Sequence, residues 1–98
     1  MKADAILLNV KDNVVTSVYG AQKAQKVCYY KGEELCSIDT IEEIPPCHKI
    51  ALVPITKGTK IIKYGEIIGQ AMQDIAKGGW VSHHNIDSLP RDYASELK

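Results

Sequence analysis

The sequence predicts a small, mainly β domain. Its apolar runs are short and rich in Ile and Val. Gly, Pro, Asn and Asp interrupt those runs roughly every 8–12 residues, the spacing of small all-β folds. No long segment repeats apolar residues at helical intervals, so neither a long amphipathic helix nor a coiled coil is expected. With 98 residues the chain fits one domain. A chain of that size buries roughly two-thirds of its unfolded surface and folds without staples. It has no Phe and one Trp, so its core must rest on Ile, Val, Leu and some of the Tyr residues.

The elements follow in order. Residues 5–10 read as a first strand, Asp12-Asn13 as a turn and residues 14–18 as a second strand. Residues 27–30 form a third strand; Lys31-Gly32-Glu33 turns it into a hairpin partner at 35–38. Residues 41–44 are ambiguous between elements and end at Pro45-Pro46, where the chain cannot donate ladder hydrogen bonds. Residues 49–53 are a strand and Thr56-Lys57-Gly58 a turn. Residues 60–62 and 67–68 are extended on either side of a turn at Lys63-Tyr64-Gly65-Glu66. Residues 71–74 lead to a turn at Lys77-Gly78-Gly79, then to an extended stretch over 80–82. The domain is expected to end at 88. Residues 89–98 form a polar tail, apolar only at Tyr93 and Leu97, that is either one or two helical turns or disordered.

A short repeat stands out. Ile55-Thr56-Lys57-Gly58-Thr59-Lys60-Ile61 is echoed twenty residues later by Ile75-Ala76-Lys77-Gly78-Gly79-Trp80-Val81. Gly enters positive φ cheaply, so each copy reads as a tight turn feeding a strand, and the pair suggests pseudo-symmetric hairpins.

Charge and composition exclude several functions. Lys plus Arg and Asp plus Glu both total 12, with the signs interspersed. No basic excess exists to neutralise phosphates, so no nucleic-acid partner is expected. The apolar stretch near the N-terminus is too short for a signal peptide or a membrane span, which leaves a cytoplasmic protein with no membrane partner. Cys28, Cys36 and Cys47 form no CxxC pair and read as free thiols of a reducing compartment. Dinucleotide, P-loop, zincin, esterase and EF-hand motifs are all missing.

Two segments offer chemistry, and all three histidines lie in them: Pro46-Cys47-His48-Lys49 and Ser82-His83-His84-Asn85. Imidazole is the side chain most used for proton transfer near neutral pH. Adjacent His83-His84 makes a poor chelate, because rings on an extended backbone diverge. The plain alternative for each segment is a solvated loop, and for Lys63-Tyr64-Gly65 a β-turn with Gly at positive φ.

Taken together, several segments resemble the SAF domain of the altronate and galactarate dehydratase family. They are Cys47-His48-Lys49-Ile50-Ala51-Leu52, Ile55-x-Lys57-Gly58, Ile61-Ile62-Lys63-Tyr64-Gly65-Glu66-Ile67-Ile68-Gly69, Asp74 to Val81, and His84-Asn85. The match runs nearly unbroken from Pro46 to Ile86, and Asp12-Asn13-Val14 resembles the family's opening. Gly20 to Glu43 follows no recognisable pattern. The family often has Gly where Cys47 stands and a first His where Ser82 stands; His84 and Asn85 keep their places, and His83 takes the variable one.

The resemblance implies a compact β-clip fold, similar to type III antifreeze proteins. In that family the domain is fused to, or encoded beside, a much larger catalytic portion that dehydrates sugar acids and depends on a divalent metal. A related sulfolactate lyase has a similarly small separate subunit and expels sulfite. The expectation is therefore a small accessory subunit, inactive alone, that helps bind or gate a hydroxy acid. It would hold no metal or other cofactor itself; a large catalytic subunit would hold the metal. The alternative is a non-catalytic SAF-type binding or structural module. His84 and His48 are the catalytic candidates, with Lys49, Asn85, His83, Lys63 and Tyr64 as substrate-binding candidates around one rim. A docking face is expected at Trp80, Tyr64 and the Ile61-Ile62 strand, and self-association could mask it.

Overall fold

A computed structural model describes residues 3–88. Its strands are β1 (Ala5–Ile6), β2 (Val14–Ser17), β3 (Lys26–Lys31), β4 (Glu34–Asp39), β5 (Lys49–Ala51), β6 (Lys60–Lys63), β7 (Glu66–Ala71), β8 (Trp80–Val81) and β9 (Ile86–Ser88). The described residues contain no helix, so none is long and apolar enough to cross a membrane. The mainly β reading holds. The residues assigned to the C-terminal tail, 89–98, lie outside the described ones.

Strand alternation sets the architecture. β1, β2, β5 and β8 form an antiparallel sheet in that order. Its register pairs Val15 with Ile50 and Ile50 with Trp80, so these three side chains share one face. Val14, Ala51 and Val81 point to the other. The β3–β4 hairpin covers the first face, giving a core of Val15, Val27, Ile38, Ile44 and Ile50. The β6-β7-β9 sheet covers the second, giving a core of Val14, Ala51, Ile55, Ile61, Ala71, Ile75 and Val81. Ile44, Ile50, Ile55 and Ile61 are fully buried. Each contributes about 1.5–3 kcal/mol, which is how a core without Phe suffices.

The repeat is realised as a paired structure. Ile55 and Ile75, the first residues of the two copies, exchange both backbone hydrogen bonds, at 2.8 and 2.7 Å. Ala21 and Ile44 do the same at 2.8 and 2.8 Å, in a part of the chain where the sequence shows no repeat. In all four copies the third residue after the bridge sits at positive φ: Ala24 at 63°, Cys47 at 65°, Gly58 at 89° and Gly78 at 84°. The left-handed region strains a residue with a Cβ and suits Gly. This is the physical reason a glycine fits where Cys47 stands.

Several sequence boundaries move. The first strand stops at Ile6, because Asn9 and Asp12 close a turn: Asp12 N donates to Asn9 O at 3.0 Å and Asn9 N to the Asp12 carboxylate at 3.1 Å. The strand read over 49–53 ends at Ala51, and the extended stretch at 67–68 is part of the longer β7. β9 has no counterpart in the sequence reading. Of the docking candidates, Ile61 is core and cannot serve, whereas Tyr64 is 62% exposed.

Candidate functional site

Trp80 organises the site. It opens β8 opposite Ile50, and His48 lies two residues before Ile50, on the same face. The indole Nε1–H donates to His48 Nδ1 at 3.0 Å, and the two rings meet edge to face with centroids 5.5 Å apart. After β8 the chain turns back and lays His84 on the other part of the indole, centroids 4.4 Å apart and rings tilted by 47°. The two catalytic candidates, thirty-six residues apart in sequence, thus share one half-buried tryptophan.

The turn that carries His84 is built by Asn85. Its side chain is 4% exposed; its Oδ1 accepts from Ser82 N at 3.0 Å and its Nδ2 donates to Trp80 O at 2.6 Å. Asn85 therefore holds the backbone, whatever else it meets in an assembled enzyme. Ser82 is also buried, and its Oγ lies 3.3 Å from His83 Nδ1. His83 is exposed at the outer edge of the turn. Glu42 anchors the other side, its carboxylate accepting from Trp80 N at 3.1 Å.

Lys49, Lys63 and Tyr64 make a second group. Lys49 follows His48 and pairs with Val81, so alternation sends its side chain to the opposite face of β5. It is half-buried, and burial first and the Lys63 ammonium second pull its pKa below the ordinary lysine value. Lys63 ends β6, with Nζ 5.4 Å from the centre of the Tyr64 ring, a cation–π contact. Tyr64 and Gly65, at φ 60° and 72°, are the two loop residues of the β6–β7 hairpin, the pattern of a type I′ turn. The histidines and the lysines therefore occupy two faces, not one continuous rim.

Asp12 fixes that hairpin, and sequence reading gives it no such role. Its carboxylate accepts from Tyr64 N at 3.1 Å and Gly65 N at 2.8 Å. Asn13 extends the clamp, accepting from Ile62 N at 2.8 Å and donating to Lys60 O at 2.9 Å. The Asp12-Asn13 pair is thus a long-range clamp as well as a turn.

A family model described as the altronate/galactarate dehydratase SAF domain matches residues 3–89. The chain belongs to this family. The SAF-domain chain is 46% identical over 44 residues to galactarate dehydratase (L-threo-forming) of Escherichia coli strain K12, a match covering 45% of the chain and 8% of that protein. It is 36% identical over 80 residues to altronate dehydratase of Bacillus subtilis strain 168, covering 82% of the chain and 15% of that protein. It is also 44% identical over 43 residues to (2R)-sulfolactate sulfo-lyase subunit alpha of Paracoccus pantotrophus, covering 44% of the chain and 64% of that subunit. The matched region is thus a small part of the two dehydratases and just under two-thirds of the sulfo-lyase subunit.

Among the described residues the donor set does not fit a divalent metal. Among the described residues no three His, Cys, Asp or Glu side chains group to hold an ion. His48 and His84 are separated by the indole, and His48 already spends Nδ1 on it. What the site offers is two imidazoles at fixed positions.

Lys49 gives a stability prediction. A lysine whose folded pKa is lowered costs stability while it is charged in both states. That cost is full below the folded pKa and vanishes as pH rises to the unfolded value. Lys49→Met keeps the aliphatic stem and removes the charge. Thermal melts at about pH 7 should show the variant more stable than the parent, with the gain shrinking as pH approaches 10.5, the ordinary lysine value. A variant less stable than the parent at neutral pH would show that the charge is held by an unrecognised favourable contact.

Proposed function

We propose that this chain is the small subunit of a cytoplasmic lyase acting on a hydroxy acid, and that its His48–Trp80–His84 face helps bind or gate the substrate in a larger, metal-dependent catalytic subunit. The single observation that carries this is the family match over residues 3–89. Likeness to a protein named as a lyase subunit, over 64% of its length, supports a separate small chain.

The chemistry asks for more than this domain holds. In such an elimination the Cα–H bond breaks and its electron pair is first held with the carboxylate as a dianion. That pair forms the Cα–Cβ double bond as the Cβ–O bond breaks, and the oxygen leaves with its own pair, taking up a proton as water. In the sulfo-acid case the Cβ–S bond breaks and sulfite leaves. The α-proton lies beside a carboxylate and is weakly acidic, so the dianion that forms needs strong electrostatic stabilisation. A base and an acid for the leaving group are also needed. The His48 and His84 imidazoles can bind a substrate oxygen or handle a proton; the divalent metal that stabilises the dianion is assigned to the partner.

The test is reconstitution. The chain would be co-expressed with a catalytic subunit of the family, and the purified pair assayed on altronate, galactarate and sulfolactate. Turnover by the pair, and by neither component alone, is the expected result. Turnover by the 98-residue chain alone with a divalent metal supplied would overturn the accessory role.

A further inference from the structure

We propose that Trp80 is a positioning residue that locks His48 as its Nε2–H tautomer, so that His48 meets its ligand as a hydrogen-bond donor and not as a base. The indole N–H is a donor with no acceptor capacity. It points at His48 Nδ1 over 3.0 Å, so that nitrogen must present its lone pair. A neutral imidazole carries one hydrogen, which then sits on Nε2.

The lock is rigid because four contacts hold Trp80. Its backbone N–H is tied to Glu42 at 3.1 Å and its carbonyl to Asn85 at 2.6 Å. Its ring packs on the core containing Val15, Val27 and Ile50. His84 closes the remaining side at 4.4 Å. His48 Nε2 has no partner among the described residues, so its hydrogen is available to an oxygen brought by a ligand. His84 meets the rings of Trp80 and His83, and among the described residues no hydrogen bond fixes its tautomer. The two histidines are therefore unequal: His48 is a fixed donor, and His84 is free to exchange a proton. That the oxygen belongs to a hydroxy acid, as carboxylate or leaving hydroxyl, rests on the function proposed above; the tautomer does not.

The experiment has two arms. In the first, the 15N-labelled chain is examined by long-range 1H–15N correlation, which reads imidazole tautomers directly, and by scalar coupling across the Trp80–His48 hydrogen bond. The expected result is a single Nε2–H tautomer for His48 with measurable coupling to Trp80 Nε1. In Trp80→Phe, which keeps a ring and loses the N–H, His48 should relax to a tautomer mixture. An Nδ1–H tautomer in the wild-type chain, or an unchanged His48 pattern in Trp80→Phe, would overturn the lock. The wild-type spectrum decides the matter even if the variant folds poorly. In the second arm, His48→Gln and His48→Ala are compared in the reconstituted pair. The Gln amide N–H can replace Nε2–H but cannot act as a base, so it should retain activity to within about 10-fold of wild type, while Ala should lose roughly 100-fold or more. Equal loss in both variants would overturn the donor role. A wild-type pair with no lyase activity would instead count against the function, leaving the tautomer result standing.

Discussion

Replacing Gly78 with alanine should destabilise the domain by roughly 2–5 kcal/mol, the sum of about 1–2 for a left-handed residue with a Cβ and about 1–3 for overpacking. Gly78 sits at φ 84°, and a Cβ built on it would lie 2.1 Å from the carbonyl oxygen of Asp39. That oxygen is backbone at the end of β4, so it cannot swing away as a side chain does. The backbone around it is also engaged on both sides: Gly78 N donates to Ala51 O at 2.8 Å, and Ile41 N donates to Gly78 O at 3.1 Å. Gly78 thus joins the central sheet to the chain leaving the hairpin, and moving it disturbs both. Gly58 is the internal control. It occupies the same place in its copy of the repeat, at φ 89°, but a Cβ there meets nothing within 4 Å. Its alanine variant should lose only about 1–2 kcal/mol. For a domain whose whole stability is about 5–15 kcal/mol, Gly78→Ala threatens folding and Gly58→Ala does not. Urea or thermal denaturation of the two variants decides it. Equal losses would mean that backbone strain, and not the close approach to Asp39, governs this position.

The same comparison shows what the sequence makes legible. The Lys-Gly turns are visible because Gly is the residue that positive φ favours. The equivalent turns at Ala24 and Cys47 are hidden, since their residues have a Cβ and take the conformation at a cost. The β3–β4 hairpin is legible because apolar runs flank Gly32, which opens a two-residue loop. β9 is missed: Ile86-Asp87-Ser88 has one apolar residue, and only pairing with β7 makes it a strand. Residues 7–10 mislead in the opposite sense, because Leu7 packs against a core without being in a strand.

The site divides along similar lines. Its histidine segments are visible as residue types, but their meeting on Trp80 depends on the Ile50–Trp80 register, a contact between strands thirty residues apart. Asp12 reads locally as a turn residue, while its carboxylate bonds reach backbone 52 and 53 residues on. Asn85 looks like a ligand-binding residue because it stands beside histidines, yet its burial and its two bonds give it a structural task. Short-range patterns reveal which residues are available; non-local pairing decides which of them face one another.

Removing the His84 imidazole should cripple the reconstituted pair while leaving the domain folded. The ring lies on the exposed side of Trp80, and neither nitrogen has a hydrogen-bond partner among the described residues. The turn beneath it is held by Ser82 and Asn85 through bonds that do not involve His84: Asn85 N and Ile86 N donate to Ser82 O at 3.0 and 3.1 Å. His84→Ala therefore leaves those bonds in place. If the ring transfers a proton or binds the substrate carboxylate, its loss should lower the rate of the pair by about 10²–10⁴-fold, the usual cost of a positioned acid–base group. His83→Ala should do less, since that ring is exposed and its contacts are Ser82 Oγ at 3.3 Å and the edge of His84. Asn85→Ala is not an equivalent probe, because it strips the bonds that shape the turn and confuses folding with chemistry. The informative comparison is His84→Ala against His83→Ala, with the melting temperature of each free domain measured alongside the rate of each complex. Full activity in the His84→Ala pair would remove His84 from the mechanism, even with both histidines on the same tryptophan.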